Sequence, residues 1–256
     1  MGGRGAPGRG IMTGVDPVVT ALLVAVPVAA GAALQRMTGL GLALVGAPFL
    51  VAVLGPQDGV SFGNALQTVL CLLVLAGTWR STRWGAAGAL LVGAAVGVPA
   101  GALLVGALPA GPLLVVVGTL ALLGIALAAL PQAGAVLRGL PGAIASGVAA
   151  GFVNAAAGVG GPLISAYGLA QRWERSSFVP TAQVVLLAIN VTSLLLKGVP
   201  HLHTGVWVAG AAALVVGVAA GGPVSRRVGP VAGRRLVLVV ATAGALATVV
   251  RGVLSL

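Results

Sequence analysis

The sequence is short of charge, and of negative charge above all. Asp and Glu together number 3 in 256 residues, against 14 Lys and Arg and 2 His. Charged residues make up 7% of the chain, where a soluble domain carries about 25%. No charge lies between Arg83 and Arg138, between Arg138 and Arg172, or between Lys197 and Arg226. The first of these gaps has room for two bilayer crossings at about 20 residues each. A soluble fold is excluded.

The scarcity of acids also removes most enzyme chemistry. Asp58 sits in the turn signal PQDG, Glu174 sits among arginines in RWERSS, and Asp16 precedes a proline. Neither a paired-carboxylate site nor a Ser-His-Asp arrangement is available. His201 and His203 share a short loop with no carboxylate beside them, so no metal and no cofactor are expected. The run GVGGP lacks the Lys-Ser/Thr of a phosphate loop. Cys71 stands alone inside an apolar run and cannot form an internal disulfide. Aromatic residues are only 4% and interleave no basic run, so a nucleic-acid surface is excluded and the net charge of +11 needs another explanation.

What is present is lipid-compatible sequence. Hydrophobic residues make up 59%, and the mean hydropathy is +1.13. Apolar runs bounded by charges, Gly/Pro pairs and Trp predict ten segments. The first five are 17–38, 40–55, 60–78, 85–107 and 112–131; the second five are 141–157, 161–172, 177–198, 206–224 and 236–254. Asp16-Pro17 supplies an N-cap and a first-turn proline; Pro112 and Pro141 open segments in the same way. The expected class is an all-α polytopic membrane protein with 8–10 membrane segments. The Gly/Arg-rich residues 1–16 are expected to form a flexible tail.

The halves resemble each other. Gly39-Leu40-Gly41 with Leu44 matches Gly158-Val159-Gly160 with Leu163, an offset of 119. Gln67-x-Val69-Leu70 matches Gln183-x-Val185-Leu186 at 116, and Gly97-Val98-x-Ala100-Gly101 matches Gly217-Val218-x-Ala220-Gly221 at 120. The order is kept, which predicts a duplication: residues 17–131 and 141–256, joined by a loop at 132–140. The loop charges orient it. With the N-terminus outside, ten Arg fall on one side: Arg36, Arg80, Arg83, Arg138, Arg172, Arg175, Arg226, Arg227, Arg234 and Arg235. Arg4, Arg9, Lys197 and Arg251 fall on the other. The Arg-rich side is expected to be cytoplasmic. Five segments per repeat then make the second repeat inverted. The short segments 40–55 and 161–172 fall below a full span; they read either as interrupted crossings or as the return arms of re-entrant hairpins that dip in with their predecessors.

The glycines mark the expected site. Gly39 and Gly41 in one half, and Gly158, Gly160, Gly161 and Pro162 in the other, interrupt apolar segments at equivalent places. Non-helical backbone at membrane depth is tolerated where protein buries it or it lines a cavity. Breaks at matching positions of inverted repeats point to a transporter's binding site, with half-helix N–H groups aimed at the substrate. Close helix packing through small residues is the alternative. Gly93, Gly97 and Gly101, repeated as Gly217 and Gly221, read as such packing faces. Polar residues in the apolar segments are few: Gln35 and Thr38 before the first break, Asn154 before the second, Asn64 and Gln67 three apart, Gln183 and Asn190 seven apart. Each reads either as pathway lining or as interhelical hydrogen-bond glue. Ser165 and Tyr167 follow the second break.

At these residues the sequence resembles the sulfite exporter TauE/SafE family of membrane permeases. The resemblance rests on GAALQRMTGLGLALVGAPFL, on GFVNAAAGVGGPLISAYGL, and on ALQTVL and TAQVVLLAIN. It runs over nearly the whole chain from Val18. It implies a bacterial cell-membrane carrier of two homologous halves moving small anions: sulfite, organosulfonates or related organic acids. Arg36 stands where a small residue is expected and reads as a substrate counter-ion or as an interface anchor. A passive anion channel and a non-transporting membrane subunit are the competing readings, and the oligomeric state is left open.

Overall fold

The computed structural model describes residues 17–38, 41–129, 137–228 and 230–256. The elements are α1 (Pro17–Thr38), a π-helical turn (Leu42–Gly46) running into α2 (Ala47–Leu54), and α3 (Pro56–Thr78) with a 3-10 turn (Trp79–Ser81). Then come α4 (Trp84–Ala107), α5 (Ala110–Ala129), α6 (Gly139–Ala157), α7 (Gly161–Ala170), α8 (Arg175–Lys197), α9 (Thr204–Val228) and α10 (Pro230–Leu254). No strand occurs among the described residues, and eight of their helices are long and apolar enough to cross a membrane. The chain is an all-α, multi-pass membrane protein.

The two short segments keep their place in this count. The π turn and α2 together cover Leu42–Leu54, and α7 has 10 residues. At 1.5 Å per residue α7 is about 15 Å long, half the hydrocarbon thickness. Their partners α1 and α6, at 22 and 19 residues, are long enough to span by themselves. Only the second arm of each pair is short, which fits an interrupted segment better than a hairpin of two dipping arms. The π turn has no counterpart in the sequence reading; such turns occur often at functional sites.

Apolar side chains face outward as well as inward. Leu195 is 79% exposed and Leu103 74%, a surface that lipid covers. Inside, α4 packs on α6 and α1 on α9, while α5 pairs with α10 and α3 with α8. Exchanging the two halves turns the first two pairs into each other and leaves the last two unchanged. Glycine brings the first two pairs together. A Cβ at Gly93, Gly97 or Gly101 of α4 would land on the carbonyls of Ile144, Val148 or Phe152 of α6, and one at Gly217 on that of Ala29 in α1. Gly97→Ala should therefore lower the melting temperature in detergent, at a cost of about 1–3 kcal/mol for overpacking. Gly106→Ala, which meets open space, should leave the melting temperature unchanged; equal melting of the two variants would refute this packing.

The bundle has two distinct ends. At one, the Arg83 amide donates to Thr181 Oγ1 at 3.0 Å, and the Arg83 guanidinium lies 5.4 Å from the Trp173 ring. Arg83, Trp84, Gly139, Leu140 and Trp173 line one groove there. This Arg-rich end thus gathers the α3–α4 turn, the start of α6 and the α7–α8 turn. At the other end Gln57 Nε2 donates to the Val105 carbonyl at 3.4 Å, and the ends of α8 and α10 carry Lys197 and Arg251.

Candidate functional site

The second break is built around Asn154. Helix α6 ends at Gly158, whose φ of +74° is a left-handed conformation that suits glycine. The Gly158 amide donates to the Asn154 carbonyl at 2.8 Å. Asn154 Oδ1 accepts the Gly160 N–H at 3.1 Å, and Asn154 Nδ2 donates to Asn190 Oδ1 of α8 at 2.7 Å. From α3, Asn64 Nδ2 donates to Ser193 Oγ of α8 at 3.0 Å. Asn64 Oδ1 faces Gly158, 3.8 Å from where a Cβ would stand. Lys197 Nζ donates to the Ala155 carbonyl at 2.8 Å. That carbonyl belongs to the last turn of α6, where the helix dipole favours a cation.

The first break repeats the device. Gln35 Oε1 accepts the Leu42 N–H at 2.9 Å. Gln35 and Asn154 stand 119 apart, the offset of the glycine motifs themselves. Gly41 lies directly on the backbone of Gly31, Leu34 and Gln35, so only a residue without a side chain fits. The side chains of Arg36 and Thr38, and all of Gly39, lie outside the described residues. At each break the amide upstream takes one N–H, that of Leu42 and that of Gly160, so those two are not open to a solute. Nor does Gly160 stand clear, since a Cβ there would be 2.7 Å from the Ala150 carbonyl and from Asn154 Cβ. A leucine at Gly160 would disturb the fold as well as the site.

The remaining amides run along α3 and α8. These helices are antiparallel, because Asn64 meets Ser193 while Leu73 and Val74 share a cavity with Gln183. That cavity, about 330 Å³, lies toward the Arg-rich end between α1, α3, α8 and α9. Its polar lining is Gln35, Gln183 and Arg175. Gln67 sits between the two levels, its Nε2 3.8 Å from Cys71 Sγ. All six amides are at most 8% exposed. Three carry a buried atom without a hydrogen-bond partner among the described residues: Gln67 Oε1, Gln183 Oε1 and Asn190 Nδ2. Each such atom costs about 1–3 kcal/mol if nothing pairs it, so these positions are places where an ordered water or a bound solute is accommodated.

The structure thus joins Asn64, Asn154, Asn190 and Gly158 with Gly160 at one level, and Gln35 with Gln183 at another. Gly161 opens α7, and Pro162 of its first turn packs toward Gly124 of α5, away from the amides. Tyr167 packs edge-on to Trp173, ring centres 5.4 Å apart, at the Arg-rich end. Sequence reading missed Ser193, Lys197 and Arg175 as members of this region. The spacing from Asn190 to Ser193 and Lys197 places all three on one helix face, a signal that was available.

Two half-length helices, each latched by an amide and set against a buried polar file between spanning helices, define a multi-pass membrane protein built around a discontinuous core. The model of the family described as sulfite exporter TauE/SafE matches residues 23–248, and the chain belongs to that family. The family is one of sulfite-exporting membrane permeases, transporters rather than enzymes. No curated protein and no solved structure matches the chain.

Proposed function

We infer that this protein is a plasma-membrane carrier for small oxyanions such as sulfite, organosulfonates or related organic acids, and that they pass between α3 and α8. The observation that carries this reading is the file of buried amides with unpartnered atoms, running from Lys197 at one end to Arg175 at the other. A carboxamide suits such a task. It offers both donors and an acceptor, and by turning its terminal torsion presents either to a solute. It holds an anion without a full counter-charge, so release stays easy. Cations at the two ends draw anions in, as electrostatic steering requires.

The antiparallel run of α3 and α8, which hold equivalent places in the two halves, supports inverted repeats. In the carrier reading, residues 17–131 and 141–256 then rock about the α3–α8 seam. The 330 Å³ cavity reaches Gln35 and Gln183 from the Arg-rich end. At the other end Gly158 packs against Ala47 and Val60. This arrangement corresponds to a state open toward the cytoplasm, by the Arg bias of the loops. Closure at one end favours a carrier over a passive channel.

The test is counterflow in proteoliposomes with radiolabelled sulfite, competed by methanesulfonate, sulfoacetate, taurine, sulfate and short carboxylates. Uptake should saturate and accelerate when unlabelled anion is trapped inside. Uptake that rises linearly with concentration and ignores the trapped anion would mean a channel, and uptake no faster than in protein-free vesicles for every anion would reject transport altogether.

A further inference from the structure

A second cavity, of about 350 Å³, opens at the Lys197 end between α2, α3, α5 and α10. Its cation is Arg251, on the last turn of α10. Arg251 Nη1 donates to the Ala52 carbonyl of α2, while Nη2 is buried with no hydrogen-bond partner among the described residues. The nearby polar groups are otherwise engaged: Gln57 Nε2 donates to the Val105 carbonyl, and Ser255 Oγ to that of Gly252. Asp58 also lines the cavity, but no ion pair joins it to Arg251 among the described residues.

A guanidinium with a free, buried N–H edge is matched by an oxyanion, whose oxygens accept from it with the directionality that a planar fork imposes. A guanidinium shielded from water and only partly hydrogen-bonded is stabilised by an anion beside it. The cavity's other walls, Val51, Leu54 and Leu113, are apolar and suit an organic tail. The first residues of α5, Ala110 and Gly111, stand at its mouth and add the positive end of a helix dipole. The site is separate from the amide file. Val51 of its wall belongs to the apolar cluster of Ala47, Val60 and Val159 that packs around the second break.

We propose that this outer cavity is a second oxyanion site, in which the Arg251 guanidinium, turning its unpartnered Nη2 toward the cavity that the side chain lines, binds a sulfonate, sulfate or phosphate group whose organic portion rests on Val51, Leu54 and Leu113. Asp58 opposes the ligand's charge and keeps its binding weak enough for exchange. The site stands whether or not the amide file transports anything.

Equilibrium dialysis of the purified full-length protein with labelled sulfate and methanesulfonate tests it, alongside native mass spectrometry of co-purified phosphatidylglycerol. Two binding components are expected, and Arg251→Gln should weaken at least tenfold the one that Gln183→Leu leaves in place. Ala110→Trp should do the same by filling the mouth from an exposed position, with unchanged melting, so that misfolding does not account for the loss. Asp58→Asn should tighten binding, and Gln183→Leu should leave this component intact. Loss of sulfate and methanesulfonate with lipid retained identifies a free anion as the occupant. Loss of phosphatidylglycerol alone identifies a lipid phosphate, and both results support the site. Wild-type binding of all three probes by both Arg251→Gln and Ala110→Trp would overturn it.

Discussion

Asn154→Asp should abolish anion flux while leaving a folded protein. The carboxylate keeps an acceptor for the Gly160 N–H, so the latch of the second break survives. It loses the Nδ2 donor that now binds Asn190 at 2.7 Å, a bond of the kind worth about 0.6 kcal/mol on average between membrane helices. Asn190 can turn its unpartnered Nδ2 to donate to the new carboxylate, which offsets part of the cost of burying the charge, so melting should fall without collapse of the fold. The functional loss is large, because a negative charge then stands beside the path of another. Two unit charges at 4 Å repel by about 4 kcal/mol at an effective dielectric of 20, which is about a thousandfold in occupancy. Counterflow and melting measured on the same preparation decide the matter: wild-type flux in a folded Asn154→Asp protein would remove the second break from the pathway.

Gln183→Leu should separate stability from function in opposite directions. As a structural element Gln183 is a poor choice, since its Oε1 is buried without a partner. Replacing an unsatisfied buried polar group by an apolar one of similar size is neutral or stabilising. The melting temperature should hold or rise, and flux should fall at least tenfold because the cavity loses an amide facing Gln35 and Arg175. If Gln183 were interhelical glue, the variant would melt earlier and the flux lost would track the protein unfolded. A more stable variant with undiminished flux would equally contradict the pathway assigned here.

The amides were legible in the sequence for a simple reason. In a chain with so few polar residues inside apolar runs, Gln35, Asn64, Gln67, Asn154, Gln183 and Asn190 are conspicuous, and the duplication pairs four of them, Gln67 with Gln183 and Gln35 with Asn154. The class followed from charge scarcity alone. What the sequence hid is what depends on which helix meets which. Lys197 reads as a loop charge until α8 is seen to end beside the last turn of α6, where its long side chain turns back to Ala155. Arg251 likewise reads as an end-of-chain cation until α10 is seen against α2. The direction taken by an amide is hidden too. Asn154 aims its oxygen at the backbone of its own break, so the N–H of Gly160 is consumed within the chain. The close approach of Gly41 to Gly31, Leu34 and Gln35 depends on the angle at which the returning arm leaves α1, which no local pattern encodes.

The central claim, that small anions travel between α3 and α8, is tested most directly by substrate protection. Val74 lines the 330 Å³ cavity with Gln183 and Arg175. Val74→Cys in a Cys71→Ser background gives a chain with one thiol at that place. A membrane-impermeant anionic thiol reagent should reach it from the cytoplasmic side and block counterflow. Saturating methanesulfonate, which does not itself consume the reagent, should slow the modification at least tenfold. Modification that proceeds at the same rate with and without every transported anion, and leaves flux at its unmodified level, would place the path elsewhere in the protein.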